Sequence, residues 1–458
     1  MRVVADLHIH SKYSRATSKD MNIDSLSSWA KKKGINLLGT GDFTHPGWLG
    51  EIKSKLIQGE NGFLSPKDDI LPATNAYERN NSCHYIAGGV SSSARRNKIR
   101  CGSNRDDVDF ILTAEVSSIY SQGGRVRKIH NIIFAPGIDS AEKISKKFGE
   151  KGNIWSDGRP IFGMSARDVV TLVLDVDPEA FVVPAHIWTP WFSLFGANSG
   201  FDSIKECYGD MTDQIFAAET GLSSDPEMNW RLSQLDKITL ISNSDSHSPA
   251  KIGREANVFD FKEDKFTFSE LRDILKTKDP SRFLYTIEFF PEEGKYHYSG
   301  HRKCNICLDP TRAKKANYIC PICKRRLTVG VSDRVEILAD RKQGYKQKGF
   351  PGSRHLVPLG EIISNIRGVG NQSKQVLVEY DDIVKNVGPE IEILDTIPID
   401  KIKAMAAPDV AEAIAKVRSG KVNAKPGYDG VYGVIGVKDR ESSQLDKITQ
   451  APAQETLF

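Results

Sequence analysis

The segment DLHIH, residues 6 to 10, sets two imidazoles two positions apart at the end of an apolar stretch. On a strand, alternation sends Val3, Ala5, Leu7 and Ile9 to one face and Asp6, His8 and His10 to the other, so both rings leave the same side. Imidazole is the commonest metal ligand near neutral pH, and two converging rings read as part of a metal site. Five further stretches carry ligand-type residues: Asp42 with His45, Glu115, His130, His186, and Asp245 with His247. Mixed imidazole and carboxylate donors suit Zn, Mn or Fe better than Mg alone, which prefers oxygen. Two or three such ions close together can shield phosphoryl charge, activate water and stabilise a leaving oxygen.

A second constellation is CNICLDPTRAKKANYICPIC, with Cys304, Cys307, Cys320 and Cys323. Two Cys-x-x-Cys knuckles at this separation can close a tetrahedral four-cysteine site with no open position, the pattern of structural zinc. His301, Arg302 and Lys303 before it and Lys324, Arg325 and Arg326 after it make the module a candidate DNA contact.

The elements that must position these residues are legible in outline. With 458 residues, 39% of them hydrophobic and 27% charged, the chain has room for two or three cores. A net charge of +4 is too small to establish a polyanionic partner by itself. No charged leader with an apolar run opens the chain and no stretch is apolar enough to span a bilayer, so a soluble, cytoplasmic protein is expected. Through residue 290, strand-like runs such as VVADLHIH, INLLGTGD, FILTAEV, KIHNIIFAP, FVVPAHIW, IFAAET and KITLISNSDSH are interspersed with helical ones. That order predicts parallel strands covered by helices, a barrel or a doubly wound sheet. Each ligand-type residue falls in or just beyond the C-terminal part of a strand, and in a closed barrel those ends share one rim.

The stretches DLHIHS, GTGDFTH, TAEVS, KIHNIIFAP, PAHIWTPW and SNSDSH resemble the polymerase and histidinol phosphatase (PHP) superfamily of metal-dependent phosphoesterases. EVSSIYSQGGRVRKIHN, PAHIWTPWFSLFG, ETGLSSDPEMNWRLSQLD and SDSHSPAKIGREA resemble, within it, the endonuclease Q family. The resemblance implies an α/β fold, a distorted (β/α)7 barrel followed by a zinc ribbon and a C-terminal helical DNA-binding region. It implies a metal-dependent repair endonuclease that nicks DNA 5′ to deaminated bases (uracil, hypoxanthine, xanthine) or abasic sites, leaving 3′-hydroxyl and 5′-phosphate ends. Many PHP members carry adjacent Asp-His after the second strand. Here Phe43 and Thr44 separate Asp42 from His45, and either residue is the candidate ligand.

Within that frame Glu115 is the candidate bridging carboxylate and Asp245 a ligand that also orients water. His186 and His247 are ligands or leaving-group donors, while His130 or His186 packing beneath the rim remains the alternative. Residues 63–110 read as an inserted loop whose Arg95, Arg96, Lys98 and Arg100, with Arg125, Arg127 and Lys128 beyond it, can neutralise phosphates. Trp188, Trp191 and Phe192 wall a pocket or join the core. The expected units are a barrel at 1–290, a four-cysteine module at 296–345, a helical region at 355–438 and a tail at 439–458. In the helical region Gly368-Val369-Gly370 resembles a helix-hairpin-helix turn that admits a phosphate to backbone amides, and Asp429-Gly430 marks a hairpin. Gln454, Leu457 and Phe458 form Q-x-x-L-F, resembling a sliding-clamp peptide. A monomer is expected, with DNA and a sliding clamp as partners. A small-molecule phosphatase and a catalytically inert DNA-binding scaffold are the competing readings.

Overall fold

The computed structural model describes residues 1–67, 108–262 and 266–437. Arg95, Arg96, Lys98 and Arg100 and the candidate clamp residues Gln454, Leu457 and Phe458 lie outside the described residues. Strands β1 (Arg2–Asp6), β2 (Leu37–Gly39), β3 (Leu56–Gln58), β4 (Leu64–Pro66), β5 (Asp109–Gln122), β6 (Arg125–Ala135), β7 (Ile161–Phe162) and β8 (Phe181–Pro184) come first in the chain. They are followed by β9 (Ala217–Glu219), β10 (Thr239–Ile241), β11 (Ala256–Asp260) and β12 (Phe283–Glu288).

Strand β1 pairs in parallel with β2, and β2 with β5. Then β5 pairs antiparallel with β6 and β6 antiparallel with β8. Beyond β8, the Ile187 N–H donates to the carbonyl of Glu219, the last residue of β9, which is parallel to β10. The His10 N–H donates to the Ser246 carbonyl beyond β10, which returns the order to β1.

The side chains follow this circuit. Val3, Ala5, Leu37, Ile111, Ile132, Phe134, Val183, Ala217 and Ile241 share one buried cluster. Their pleat neighbours Val4, Leu38, Phe110, Ile133, Val182 and Ala218 belong to a second cluster under the helices. Alternation on strands buried on both sides produces such a division. The second cluster continues without a break through Leu359, Ile383, Ile414 and Val437.

Two expectations need correction. The β5–β6 connection is no helix but a two-residue turn in which Gly123 and Gly124 have φ of 61° and 71°, and Gln122 pairs with Arg125. Both left-handed positions suit the hairpin turn that glycine pairs favour. His130 therefore sits inside an antiparallel strand, opposite Ser117, rather than at a parallel strand's C-terminal end. Asp6 also parts from the histidines: β1 ends at Asp6, whose carboxylate accepts from the Ser244 and Gly253 amides at 3.0 and 2.8 Å. The pleat ends there, so Leu7 joins the inner cluster and Ile9 the outer one.

After β12 come a small hairpin of β13 (Ser299–His301) and β14 (Ile306–Leu308), then β15 (Gly352–His355), which extends the main sheet parallel to β12. The helices Leu359–Arg367 and Lys374–Val387 flank the predicted turn, and Gly368 caps the first in the left-handed region. Strands β16 (Asn423–Lys425) and β17 (Val434–Gly436) form the C-terminal hairpin. Asp429 and Gly430 both have positive φ there, as their sequence predicts. No described helix is long and apolar enough to cross a membrane.

Beneath the strand ends lie two fully buried carboxylates, Glu255 and Glu288. Glu255 Oε2 and Glu288 Oε1 have no hydrogen-bond partner among the described residues. Burial pushes both pKa values up, and for Glu255 the neighbouring Glu288 adds to the rise. The folded state thus holds protons that the unfolded chain releases, and stability falls as pH climbs above the ordinary carboxylate range. Glu288→Gln should leave the melting temperature unchanged near pH 4 and raise it relative to wild type at pH 8. Parallel melting profiles across that range would contradict a buried proton.

Candidate metal centre

Side chains on β6 and just beyond β1 and β8 reach Glu115 on β5, while β9 ends on Glu219 and β10 leads into the loop that carries Asp245. Glu115 lies on β5 with its carboxylate fully buried. Its Oε1 is 2.6 Å from His130 Nδ1, 3.1 Å from His186 Nε2 and 3.9 Å from His8 Nε2. Its Oε2 is 3.3 Å from His10 Nε2 and 3.0 Å from Arg159 Nη1. Asp245 closes the other side, with Oδ1 at 3.1 Å from His10 Nε2 and 3.8 Å from His8 Nε2. Two ligand groups result, His8–His10–Asp245 and Glu115–His130–His186, each with its donor atoms within 4.8 Å of one another. Glu115 offers one oxygen toward each group.

Two buried carboxylates orient the first pair of rings. Glu219 takes His8 Nδ1 at 3.0 and 3.1 Å, and Asp42 takes His10 Nδ1 at 3.1 Å. A carboxylate on one ring nitrogen fixes the tautomer and turns the other nitrogen inward, the support that metal-bound histidines require. His8 Nε2 is buried and has no hydrogen-bond partner among the described residues. An orphaned imidazole nitrogen aimed at two carboxylates fits a cation.

The electrostatics agree. Burial alone would raise the Glu115 pKa, yet His130 and Arg159 hold it well below the usual range. Asp245 is likewise held low against burial by His10, His8 and His247. Burial lowers His8, but Glu219 outweighs it and lifts the ring to about 9. His130 is pushed down to about 4 by burial, with Glu115 offsetting part of the shift. Protons hold the places of cations here, and a metal ion must displace them.

Backbone strain accompanies the site. Asp42, His186 and Asp245 have φ of 50°, 28° and 45°, in the left-handed region. Such positions cost about 1–3 kcal/mol each and persist only where surroundings impose them. His186 N–H donates to Glu219 at 2.7 Å, and a side chain on Gly221 would meet His186 Cβ at 2.6 Å.

Of the remaining candidates, His45 stands apart. Its Nδ1 caps the helix Pro46–Lys55 by accepting from Trp48 N–H, and its Nε2 lies 3.0 Å from the Trp155 carbonyl. Asp42 is outside both ligand groups as well: besides His10 it accepts from Ser11 N–H, Ser11 Oγ and Ser14 Oγ at 2.6, 2.7 and 2.8 Å. Neither belongs to a ligand group in this geometry: His45 caps a helix and Asp42 orients His10. His247 packs its ring 4.5 Å from His10, with Nδ1 on the Asp245 carbonyl at 3.0 Å and its side chain 32% exposed. Three contributors were not expected. Glu219 repeats the apolar-strand-to-Glu pattern of Glu115 and was open to discovery by it; Arg159, on Glu115, and His301, in the cysteine module, are the other two.

The cysteine module also differs from expectation. His301, Cys304, Cys320 and Cys323 form the four-residue group, with His301 Nδ1 3.4 Å from Cys323 Sγ. Cys307 lies outside it, its Sγ 3.9 Å from the Pro426 carbonyl. Ile306 and Leu308 of β14 pack into the small core with Cys304 and Cys320, so alternation turns Cys307 to the opposite face. The signal was available as His-x-x-Cys at 301–304.

Among the basic candidates, Arg125, Lys324, Arg325 and Arg326 are exposed. Arg127 is committed to the Gly200 and Gln122 carbonyls and to the Phe201 ring, and Lys128 stands over Phe192 at 5.2 Å. Trp188 is buried with its indole N–H on Asn229, whereas Trp191 is partly exposed against Tyr296.

Residues 358–421 match the MJ0043 C-terminal domain family. The uncharacterized protein MJ0043 of Methanocaldococcus jannaschii is 35% identical over 270 residues, 57% of this chain. The chain spans only 33% of the length of MJ0043. The uncharacterized protein YqxK of Bacillus subtilis is 28% identical over 448 residues, covering 95% of this chain and 99% of YqxK. Among solved structures, the lesion-specific endonuclease PfuEndoQ of Pyrococcus furiosus superposes with a TM-score of 0.77 at 30% identity, covering 98% of this chain and 99% of that one. A crystal structure of endonuclease Q with a 27-mer duplex carrying an abasic lesion at the active site gives a TM-score of 0.78 at 30% identity, covering 98% of each chain.

The regrouped cysteine module yields a direct contrast. His301→Ala and Cys304→Ser should each lower bound metal by one equivalent per chain, while Cys307→Ser should leave metal content unchanged, as read by elemental analysis. Loss of metal from Cys307→Ser alone would restore the four-cysteine arrangement.

Proposed function

Because the chain belongs to the endonuclease Q family, we propose that it hydrolyses the DNA phosphodiester 5′ to a deaminated base or abasic site, leaving 3′-hydroxyl and 5′-phosphate ends. It is a hydrolase of DNA phosphodiester bonds. The observation that carries the reading is Glu115, a member of one ligand group whose oxygens also stand 3.9 and 3.3 Å from His8 Nε2 and His10 Nε2 of the other, with His8 Nε2 orphaned. The strand circuit that returns to β1 supports a distorted (β/α)7 barrel over roughly 1–290.

Divalent ions held at His8–His10–Asp245 and at Glu115–His130–His186, whether Zn, Mn, Fe or Mg, would supply Lewis-acid polarisation of the phosphoryl group and a more acidic water. The chain's own residues do the rest. Asp245, whose side chain is 28% exposed, is the carboxylate at the mouth, and its Oδ1 orients the attacking water. His186 has Nε2 on Glu115 and Nδ1 on Thr189 Oγ1 at 3.1 Å, which suits a ligand better than a proton donor. His247 keeps Nε2 as a bare acceptor, since Nδ1–H is fixed on the Asp245 carbonyl and burial lowers the ring to about 4, which suits a ligand better than a proton donor.

The His301–Cys304–Cys320–Cys323 group suits zinc in a closed structural role. Its exposed neighbours Lys324, Arg325 and Arg326, and the exposed Arg125 at the β5–β6 turn, suit phosphate contacts, and the Gly368–Gly370 turn suits an approach of backbone amides to the duplex.

On an end-labelled duplex carrying one abasic site or one uracil, Asp245→Ala and Glu115→Ala should each cut nicking by about a thousandfold or more, and the double variant should be little worse, since both act in one charge-stabilising unit. Chelator should silence the wild type and Mn or Zn should restore it. A folded Asp245→Ala protein that nicks at the wild-type rate would overturn the assignment.

A further inference from the structure

The segment Trp155–Pro160 has no part in either ligand group, yet it is tied to the site at every turn. The Trp155 carbonyl contacts His45 Nε2, Gly158 N–H donates to the Tyr13 carbonyl at 3.0 Å, and the Pro160 carbonyl accepts from Ser117 N–H at 2.9 Å. Asp157 Oδ1 accepts from both Arg15 N–H and Arg159 N–H. A side chain on Gly158 would meet Asp42 Oδ2 at 2.3 Å and Ser14 Oγ at 2.5 Å, so the backbone runs directly against the group that orients His10. This strap delivers one functional side chain, Arg159, whose Nη1 lies 3.0 Å from Glu115 Oε2.

Structural pairing explains only part of that guanidinium. Arg159 has five N–H donors in a planar fork, and among the described residues it forms one side-chain hydrogen bond. Its side chain is 26% exposed, at the mouth of the site rather than sealed within it. It can therefore hold Glu115 on one edge and offer the other to an oxyanion.

We propose that Arg159 is a substrate-contacting residue: a guanidinium fixed by the Trp155–Pro160 strap to bind the scissile phosphate, and afterwards the 5′-phosphate of the product. The proposal rests on the phosphodiesterase reading above. Planar, two-pronged recognition of phosphate is the chemistry for which arginine is suited and lysine is not. The position on Glu115 aligns that fork with a carboxylate that belongs to one ligand group and faces His8 and His10 of the other, so phosphate held there is held at the reacting centre.

Product binding tests this without turnover. Duplexes nicked 5′ to an abasic site are prepared with either a 5′-phosphate or a 5′-hydroxyl at the nick, and dissociation constants are measured for wild type, Arg159→Met and Arg159→Lys in the metal-loaded state. Wild type should bind the phosphorylated nick about tenfold or more tightly than the hydroxyl form. Arg159→Met should bind both alike, with wild-type metal content, and Arg159→Lys should keep only part of the preference. An undiminished preference in Arg159→Met, or loss of metal from that variant, would overturn the proposal, the latter by making Arg159 part of the metal scaffold. If the wild type neither nicks nor binds lesion-bearing duplexes, the phosphodiesterase reading itself fails; if it nicks normally and the preference survives in Arg159→Met, only the role of Arg159 fails.

Discussion

A buried carboxylate that stays ionised has to be surrounded by cations or hydrogen-bond donors, and Glu115 organises this end of the molecule through that requirement. An ion taken out of water costs several kcal/mol, and removing one partner of a buried pair costs about 3–5 kcal/mol. Four imidazoles and a guanidinium meet it, brought from β6, from the loops after β1 and β8, and from the strap before β7. No short segment of chain can supply groups so far apart in sequence. The circuit of strands exists at this end of the molecule to make them converge, and the strained backbone at His186 and Asp245 is tolerated because the array holds it.

A second shell makes the convergence specific. Glu219 and Asp42 grip the outer nitrogens of His8 and His10, and Asp42 is in turn held by Ser11 and Ser14. Asn243 donates to Glu219 at 3.0 Å, so its carboxylate is not left to rotate. Ring orientation is thereby set before any ion arrives, which lowers the reorganisation needed to bind one. Because His8 and His10 are oriented by two different carboxylates, loss of either orienting group should loosen one ring and leave the other in place.

Much of the site was legible in the sequence because its ligands sit at the ends of strongly apolar runs, where a polar residue is conspicuous. His8, His10, Glu115, His130, His186 and Asp245 were all found that way, and the structure brings all six together. The residues that escaped did so for physical reasons. Arg159 sits in an irregular strap whose Asp-Gly composition reads only as a turn, and its partner lies 44 residues away. His301 was hidden by the stronger regularity of paired Cys-x-x-Cys, although strand alternation in β14 turns Cys307 away from the small core that holds Cys304 and Cys320. The fold was read with one polarity too many: Gly123-Gly124 signals a hairpin, and helical crossovers cannot be assumed where a two-residue glycine turn is present. Asp42 and His45 could not be separated by sequence, since the distinction lies in which lone pairs a helix cap and a neighbouring imidazole have already taken.

Glu115 stands where it would join two metal positions, His8–His10–Asp245 and His130–His186, into one centre. Crystals of the chain soaked in Mn and measured for anomalous scattering test it most directly. Two rim peaks, one against His8, His10 and Asp245 and the other against His130 and His186, with Glu115 between them, are the expected result. A single peak that leaves Glu115 paired only with Arg159, or density seated on His45 instead, would contradict it.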